Sequence, residues 1–332
     1  MYDVIVIGGG PAGITAALRA SELGATVALV ESERLGGTCT NDGCVPTRVL
    51  AKASRLIREA EHFGTYGLSG EKPGLDFGQL ISYTRDIVET IHKKKQILDT
   101  LHRAGVSVFA PAGSARFVDG HTLMLADGSR LEGAKIIICA GGHARRISFP
   151  GSDLPGVLTH HDVWSLGKLP HTVAVVGGAA TGCQLASILA SFGAEVTLLE
   201  VAPRILATED HVGSSAMKAA FRDSGIGVIT GIGGLERIDR LEDGKLMLWY
   251  TYQGHSQGLD TEAVILAVGW VGNVDELDLA AADVATERGY IVVNDQLQTS
   301  VPHIFAAGDV TGRVMLVQTA NDDGRHAAEN AV

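Results

Sequence analysis

The sequence predicts an α/β protein that contains two strand–turn–helix–strand units of one plan. The chain has 332 residues, more than one hydrophobic core usually supports, so two or more domains are expected. Its composition, 45% hydrophobic with 42 glycines and few aromatic residues, is typical of α/β chains with many glycine turns. The third observation is an internal repeat, which decides the architecture.

The repeat joins two segments of equal length. Residues 2–31 read YDVIVIGGGPAGITAALRASELGATVALVE, and residues 171–200 read HTVAVVGGAATGCQLASILASFGAEVTLLE. In each copy an apolar strand enters a glycine turn, an amphipathic helix and a second strand follow, and a glutamate ends the segment. Matched glycines and the final glutamates are offset by 169 residues without a gap, which makes a chance match implausible.

Each copy predicts a dinucleotide-binding turn of the Rossmann type. The turn positions are Gly8, Gly10 and Gly13 in the first copy and Gly177, Ala179 and Gly182 in the second. The first position permits the tight turn, the second lets the backbone approach a pyrophosphate at the helix N-terminus, and the third lets the helix pack on the strand. Glu31 and Glu200 each lie 18 residues past the third glycine, placed to bond ribose hydroxyls. Ala179 crowds the phosphate approach by one methyl group without closing it.

Two such sites in one chain suggest two nucleotides that exchange electrons, a tightly held flavin and a diffusible nicotinamide.

Between the copies lies GGTCTNDGCVPTR, residues 36–48, in which four residues separate Cys39 from Cys44. Pro46 suits the first turn of the helix that the following apolar spacing predicts, so Cys44 stands at or just before a helix N-terminus. That position stabilises a thiolate, and Arg48, one turn further on, adds positive charge. The loop is short enough to bring the two cysteines within reach of a disulfide.

Three interpretations of this cysteine pair compete. A zinc half-site would need a CxxC-type pair and two further ligands, whereas Cys139 and Cys183 are each isolated in apolar patterns. Two unrelated structural cysteines are the second interpretation. A redox-active disulfide is favoured, because the pair stands at a helix N-terminus directly after a flavin-type unit.

Charge and composition exclude several other classes of protein. A net charge of −11 argues against binding to a nucleic acid backbone as the main activity. The densest basic run, His92-Lys93-Lys94-Lys95, falls inside a helical pattern and is interpreted as a solvated face. No apolar run approaches the length of a membrane span, and MYDVIVIGGG lacks the pattern of a signal peptide. Four cysteines do not make a secreted disulfide framework, so a cytoplasmic protein is expected.

Taken together, these motifs resemble the FAD-dependent pyridine nucleotide-disulfide oxidoreductases, the group of dihydrolipoamide dehydrogenase, glutathione reductase and mercuric reductase. The resemblance covers essentially the whole chain, in order: GGGPAG, GGTCTNDGCVPTR, ICAGG at 138–142, VVGGAATG, AVGWVGN at 267–273 and TSVPHIFAAGDVTG at 299–312. It implies that the first Rossmann-like domain binds FAD and that the second, inserted domain binds NAD(P).

The resemblance implies a set of binding residues for each nucleotide. Those implied for FAD are Gly8, Gly10, Gly13, Glu31, Thr38, Gly113, Ala140, Gly141 and Asp309. Those implied for the nicotinamide nucleotide are Gly177, Ala179, Gly182, Glu200 and Gly269. Glu200 favours NAD over NADP, because a carboxylate suits a free 2′-hydroxyl and repels a 2′-phosphate. Arg204, which follows closely, weakens that preference.

The resemblance also implies roles for the residues at the reaction centre. Cys44 would face the flavin and form the charge-transfer pair, and Cys39 would be the interchange thiol that meets the substrate. Arg48 stands where relatives carry a lysine, and Gln184 stands where they carry its glutamate partner. A cation and a neutral amide thus replace the usual ion pair near the flavin.

The expected function is that of a dihydrolipoamide dehydrogenase-like enzyme, which passes electrons between NAD(P)H, flavin and the cysteine pair and acts on a small-molecule or protein-bound disulfide or dithiol. A mercuric or quinone/dye reductase on the same scaffold, and an FAD-binding fragment without disulfide turnover, stay open as alternatives. Relatives continue beyond GRHAAENAV with a domain that forms the dimer and supplies a His-Glu acid/base. A homodimer is therefore expected only if the chain continues past Val332.

The expected layout is discontinuous. Residues 1–153 form the first part of the FAD domain, residues 154–269 form the NAD(P) domain, and residues 270–332 return to complete the FAD domain. A long helix is predicted over 76–104, with Asp76 and Gln79 spaced as a capping pair at its start. A hairpin with the turn ADGSR is predicted near 113–131.

Overall fold

The chain alternates strands and helices in a computed structural model that describes residues 1–71 and 73–332. The helices are α1 (Pro11–Glu22), α2 (Gly37–Asn41), α3 (Cys44–Glu61), α4 (Phe77–Lys95), α5 (Ile97–Arg103), α6 (His160–Val163), α7 (Ala180–Ser191), α8 (His211–Asp223) and α9 (Val317–Ala331). Single 3-10 turns occur at Phe63–Tyr66, Asp275–Leu277, Leu279–Ala282 and Gly308–Thr311. The predicted α/β class is confirmed.

The strands are short, as is usual for this class. They are β1 (Tyr2–Ile7), β2 (Val27–Val30), β3 (Ser107–Phe109), β4 (Arg116–Asp119), β5 (Thr122–Met124), β6 (Arg130–Ile138), β7 (Gly142–Ala144), β8 (Val157–Thr159), β9 (Thr172–Val176), β10 (Glu195–Glu200), β11 (Gly227–Thr230), β12 (Gly234–Arg240), β13 (Leu246–Tyr252), β14 (His255–Thr261), β15 (Ala263–Leu266), β16 (Trp270–Gly272), β17 (Thr286–Glu287), β18 (Tyr290–Ile291) and β19 (Ile304–Ala306).

The described chain divides into two units, the second of which interrupts the first. The first unit comprises Met1–Val45, Val88–His143 and Trp270–Val332. The second unit comprises Pro46–Ile87 and Ala144–Gly269.

The first unit is organised around a sheet with the strand order β3-β2-β1-β6-β5-β4, to which β19 adds by pairing with β6. β1 is parallel to both β2 and β6, and β19 is parallel to β6. Parallel neighbours need a crossover, and α1 supplies the one between β1 and β2. The carboxyl ends of β1 and β2 therefore lie at the same edge of the sheet, where open α/β sheets bind their ligands.

Both faces of this sheet are buried, which explains why its strands read as continuous apolar runs. Val4 and Val6 of β1 pack in the core on the side of α1 and α9, whereas Ile5 and Ile7 pack in the core on the opposite side. α9 lies so close to α1 that a Cβ at Gly324 would overlap the backbone of α1. The last helix thus belongs to the same layer as the first.

The second unit repeats the parallel plan, with the strand order β11-β10-β9-β15-β8. α7 crosses over from β9 to β10, as α1 does in the first copy of the repeat. An antiparallel meander, β12-β13-β14, shares a hydrophobic core with the parallel strands. The residues of α3 and α4 that belong to this unit pack on α7 in a separate cluster, where Phe77 and Phe192 meet edge-to-face at 6.3 Å between ring centroids.

The single long helix predicted over 76–104 is wrong, because the chain forms two helices there. The predicted cap is present, since the Gln79 N–H donates to Asp76 Oδ1 at 2.8 Å. The helix breaks at Gln96, whose φ of 46° is left-handed. The break redirects the chain so that Leu101 of α5 is fully buried in the core of the first unit.

The predicted hairpin turn is present between β5 and β6. Asp127 Oδ1 accepts the Ser129 N–H at 2.8 Å, and Gly128 takes a left-handed φ of 84°. Of the helices in the described ranges, none combines the length and the apolar character that crossing a membrane requires.

Candidate active site

The turn between β1 and α1 depends on glycine at two of its three marked positions. Gly8 has a φ of 105°, and a Cβ there would overlap the Cys139 carbonyl. A Cβ at Gly13 would overlap the Gly8 carbonyl, so α1 can approach the strand only because this residue has no side chain. Gly10 differs, because its Cβ would meet only the Cα of Gly37, at 3.7 Å. The protein leaves space at Gly10, as a bound phosphate group requires.

Glu31, at the end of β2, closes this turn from the other side. Its Oε2 accepts the Gly9 N–H at 2.6 Å, and its Oε1 accepts the Glu33 N–H at 2.9 Å. The carboxylate is nearly buried. Its Oε1 also accepts the Ser32 hydroxyl at 3.3 Å, so Oε2 is the oxygen that keeps a further lone pair for a ligand hydroxyl. Glu31 therefore holds two loops together through their backbone N–H groups and can still bind a ribose hydroxyl.

The second unit contains the same arrangement of a glycine turn bonded by a glutamate carboxylate. Gly177 has a φ of 109°, and a Cβ at Gly182 would overlap the Gly177 carbonyl. Glu200 Oε2 accepts the Gly178 N–H at 2.5 Å, and Glu200 Oε1 accepts the Ala202 N–H at 2.7 Å. These contacts match those of the first copy at the same offset of 169 residues, so the repeat extends to individual hydrogen bonds.

The helix that follows each turn offers an anion site. α1 begins at Pro11 after Gly10, and α7 begins at Ala180 after the exposed Ala179. Neither helix has an acidic residue in its first turn. The free N–H groups and the positive end of each helix dipole thus favour a phosphate.

Other residues implied for FAD gather in the first unit. Gly113, with a φ of 66°, donates its N–H to the Ser32 carbonyl at 3.0 Å, beside the end of β2. The Ala140 carbonyl accepts Asn273 Nδ2 at 2.7 Å, and the Gly141 carbonyl accepts the Asn273 N–H at 3.0 Å. Sequence reasoning missed Asn273 as the residue that ties these two segments, although it ends the AVGWVGN segment.

Asp309 lies on the turn after β19 and provides a test of whether these residues fit a flavin nucleotide. Burial alone raises the pKa of its carboxyl group. No residue in the described ranges donates a hydrogen bond to that carboxyl group. A partly buried carboxyl group without a protein partner fits a ligand that brings its own hydroxyls, as a ribityl chain does.

The segment that carries Cys39 packs against the first glycine turn. Gly36, with a left-handed φ of 107°, donates its N–H to the Gly9 carbonyl at 2.7 Å. A Cβ at Gly37 would lie 2.8 Å from the Cα of Gly10. The short helix α2, with Thr38 and Cys39, starts at this contact, so the fold places the first cysteine beside the predicted nucleotide site.

The second cysteine begins α3, where the sequence predicts a helix N-terminus. Cys44 is exposed, Cys39 is half-buried, and the two lie near each other. Gly43 joins the two helices, and a Cβ there would lie 2.9 Å from the Thr38 carbonyl. Pro46 is buried in the first turn of α3. The pair therefore occupies two consecutive helices joined by a turn that only glycine fits well.

The other two cysteines have a different environment. Cys139 and Cys183 are buried, and burial raises the pKa of both thiols, that of Cys183 to about 11. Both therefore stay protonated at neutral pH. Within residues 1–71 and 73–332, no three His, Cys, Asp or Glu side chains group together in a way that could hold a metal ion.

Arg48 and Gln184 lie on two helices of the second unit that pack together. Arg48 is exposed on α3, and Gln184 is exposed on α7. Arg58 Nη1 of α3 donates to Ser187 Oγ of α7 at 2.9 Å, and the two helices share the core that contains Leu50. Both polar side chains are thus carried by a rigid helix pair.

The nicotinamide candidates in the second unit also include an open backbone position. Gly269 is exposed with a φ of 111°, and a Cβ there would meet no atom within 4 Å. Arg204 is engaged in its own loop, where its guanidinium donates to the carbonyls of residues 206, 207 and 209 at 3.0, 2.7 and 2.8 Å.

Comparison with known proteins gives consistent matches. The family profile described as pyridine nucleotide-disulphide oxidoreductase matches residues 2–324. The chain is 33% identical over 333 residues to a dihydrolipoyl dehydrogenase of Zymomonas mobilis subsp. mobilis and 34% identical over 333 residues to one of Chlorobaculum tepidum. Each alignment covers 99% of this chain and 70% of the relative.

A solved structure shows the same fold. The HOCl-induced flavoprotein disulfide reductase RclA from Escherichia coli matches with a TM-score of 0.84 at 29% sequence identity. The match covers 98% of this chain and 69% of that chain. The similarity in both sequence and structure thus extends over both glycine turns and the cysteine pair.

Proposed function

Because this chain belongs to the pyridine nucleotide-disulphide oxidoreductase family, we propose that it is an FAD-dependent disulfide oxidoreductase of the dihydrolipoyl dehydrogenase type. The observation that carries the proposal is the contact between the cysteine segment and the first glycine turn. The Gly36 N–H binds the Gly9 carbonyl at 2.7 Å, and Gly37 packs on Gly10. A dithiol held beside a dinucleotide turn is suited to exchange electrons with the nucleotide bound there.

FAD, when bound, supplies the ring that accepts a hydride and passes two electrons on. The residues proposed to hold it are those of the first unit. Gly10 and the N-terminus of α1 would hold the pyrophosphate, Glu31 the adenosine ribose, and Asp309 the ribityl hydroxyls. We propose that residues 1–153 and 270–332 form this domain and that residues 154–269 form the nicotinamide domain.

We propose NAD as the nicotinamide nucleotide. The Glu200 carboxylate would meet the 2′-hydroxyl of the ribose and repel a 2′-phosphate. Arg204 is the basic residue that could favour NADP, but its guanidinium already donates to three carbonyls of its own loop. Turnover should therefore have a kcat/KM at least tenfold higher with NADH than with NADPH. Equal efficiencies would contradict this assignment.

The cysteine pair performs the transfer to substrate. The hydride that NADH gives up brings two electrons and one proton, so reduction of the Cys39–Cys44 disulfide consumes no further proton and leaves one thiol and one thiolate. Cys39 then attacks a substrate disulfide, which releases one substrate thiol and forms a mixed disulfide. Attack of Cys44 on Cys39 releases the second substrate thiol and restores the internal disulfide. With a dithiol as donor, the same steps run in reverse.

An anaerobic titration of the flavin-loaded protein with NADH tests this relay. We expect reduction by two electrons to produce the long-wavelength absorbance of a thiolate that lies against the flavin ring. Cys44→Ser should abolish this band, whereas Cys39→Ser should show it before any NADH is added. Cys183→Ser is a matched control, because a serine hydroxyl can donate to the Gly178 carbonyl as the thiol does now at 3.3 Å.

The outcomes of the titration separate the alternatives. Bleaching without the band, unchanged in Cys44→Ser, would refute the disulfide mechanism and favour a quinone or dye reductase. Binding of FAD without reduction by NADH would favour a flavin-binding protein without turnover. If the band appears, rates with lipoamide, a quinone and a mercuric salt identify the acceptor. We propose the cytoplasm as the location, where NADH is available.

A further inference from the structure

Two side chains near the end of α4 contact the short helix that carries Cys39. His92 Nε2 lies 2.7 Å from Asn41 Oδ1, and Lys95 Nζ donates to Thr40 Oγ1 at 3.0 Å. Thr40 and Asn41 are the two residues that follow Cys39 in the chain, and Thr40 is completely buried. Both contacts lie within the first unit and join segments about 50 residues apart.

Further contacts make this a connected set. Arg34, which precedes α2, forms a double ion pair with Glu89 of α4, with N–O distances of 2.7 and 2.8 Å. Asn41 Nδ2 donates to the Arg34 carbonyl at 3.1 Å. A Cβ at Gly36 would lie 3.3 Å from the His92 ring, so the chain that enters α2 also packs on this histidine.

The donor and the acceptor of the hydrogen bond between His92 and Asn41 follow from these contacts. Since Asn41 uses its amide nitrogen on the Arg34 carbonyl, its Oδ1 faces His92 and accepts the Nε2 hydrogen. Burial lowers the pKa of His92, which keeps the ring neutral at neutral pH. A neutral ring with its hydrogen on Nε2 makes a fixed, directional bond to α2.

The start of α2 rests on the first glycine turn, through the Gly36 N–H and the Gly37 contact, whereas the α4 contacts are made by Thr40 and Asn41 near its end. A helix of five residues has no stability of its own in water, so its position depends on what holds it from outside. In this protein α2 is held by the first glycine turn at its start and by α4 near its end.

We propose that His92 and Lys95 are positioning residues that hold α2 so that Cys39 is kept in register with Cys44, and that they thereby favour the disulfide over the dithiol. The inference rests on the proposed function, because it assumes that this pair cycles between the two states. It assigns a role to a basic run that the relay itself does not use.

The physical reason is a difference in conformational freedom. A disulfide requires the two cysteines at a fixed separation, whereas two thiols tolerate a range of positions. Holding α2 in place removes freedom that only the dithiol can use, and so raises the effective concentration of one thiol at the other. Release of α2 should shift the equilibrium towards the dithiol.

The test is the reduction potential of the pair in the flavin-loaded protein, equilibrated in dithiothreitol redox buffers and read by thiol alkylation and mass spectrometry. We expect His92→Ala to lower the equilibrium constant for the disulfide about tenfold, the effect of about one net hydrogen bond, which makes the potential about 30 mV less negative. Lys95→Met should shift it in the same direction. His92→Gln, which can place an N–H near the Nε2 position, should restore most of the wild-type value.

Matched controls lie on the same turn. Lys93 and Lys94 are exposed neighbours without these contacts, and Lys93→Met and Lys94→Met remove the same charge. Their potentials should equal that of the wild type. In an Asn41→Ala background, His92→Ala should add no further shift, because its partner is already absent.

Three results would overturn the inference. One is a change in the free energy of unfolding of His92→Ala and Lys95→Met without a change in potential, since this means a purely structural role. Another is an equal shift in the Lys93→Met control, which means a general charge effect. If the wild-type pair never forms a disulfide at any buffer ratio, the relay itself fails and the inference falls with it, and this result differs from an unshifted potential in a working pair.

Discussion

We expect the two hydrogen bonds that Glu200 accepts in the second unit to stabilise the fold independently of nucleotide binding. Glu200 Oε2 and Oε1 accept the N–H groups of Gly178 and Ala202 at 2.5 and 2.7 Å. In Glu200→Gln, one oxygen becomes an NH₂ group that faces a backbone N–H, so one bond is lost and the other changes from charged to neutral. A partly buried N–H without an acceptor costs about 1–3 kcal/mol, and loss of the charge costs about 1 kcal/mol more.

We therefore expect Glu200→Gln to lower the free energy of unfolding by about 2–4 kcal/mol in the absence of any nicotinamide nucleotide. With a urea m-value of about 2 kcal/mol/M, the midpoint for this unit should fall by about 1–2 M. The measurement is equilibrium urea denaturation followed by circular dichroism.

Glu195→Gln is the matched control, because Glu195 lies on the same strand, β10, with its side chain 74% exposed. It should leave the midpoint unchanged. A Glu200→Gln midpoint equal to that of the wild type, together with weaker NADH binding, would refute the reasoning and show that the carboxylate serves the ligand alone.

Two further predictions concern the first unit. Gly13→Ala should destabilise the protein by about 3 kcal/mol, because its Cβ would overlap the Gly8 carbonyl, whereas Gly10→Ala should fold normally and bind FAD about tenfold more weakly, as fluorescence titration would show. Asp309→Asn should weaken FAD binding and yet stabilise the flavin-free protein at pH 7. Burial raises the folded-state pKa of Asp309 above its usual 3.8. The stability of the wild type therefore falls as pH rises from the pKa of the unfolded state to that of the folded state. The advantage of the amide should thus vanish below about pH 4 in thermal unfolding, and an advantage that persists at pH 3 would contradict this cause.

The glycine turns were predictable from sequence because their constraints are local. Gly8 and Gly13 are required by the backbone within six residues of each other and by one neighbouring strand, and the same physics recurs at Gly177 and Gly182. The constant offset of the repeat means that the same positions in both copies need glycine for the same steric reason. The start of α3 at Cys44 was predictable for a similar reason, since a proline in the first turn and the apolar spacing that follows both act locally.

Contacts between distant segments could not be predicted in the same way. The basic run from 92 to 95 is exposed at its three lysines, as expected for a solvated face, but that interpretation is wrong for the half-buried His92. Its partner, Asn41, lies 51 residues earlier, and no periodicity connects the two. The break at Gln96 was missed too, because a left-handed glutamine has no sequence signature when packing of α5 enforces it.

The pairing of β19 with β6 has a consequence for how the protein is made. Ile304 to Ala306 complete the sheet beside Ile136 to Ile138, but 165 residues lie between Ile138 and Ile304 along the chain. At about 5–20 residues per second, a ribosome needs roughly 10–30 s to cover that distance. Ala144–Gly269, the larger segment of the second unit, is synthesised in that interval, while the sheet of the first unit still has an open edge. An exposed apolar edge invites pairing with other chains, so we expect the nascent protein to be most prone to aggregation during this interval.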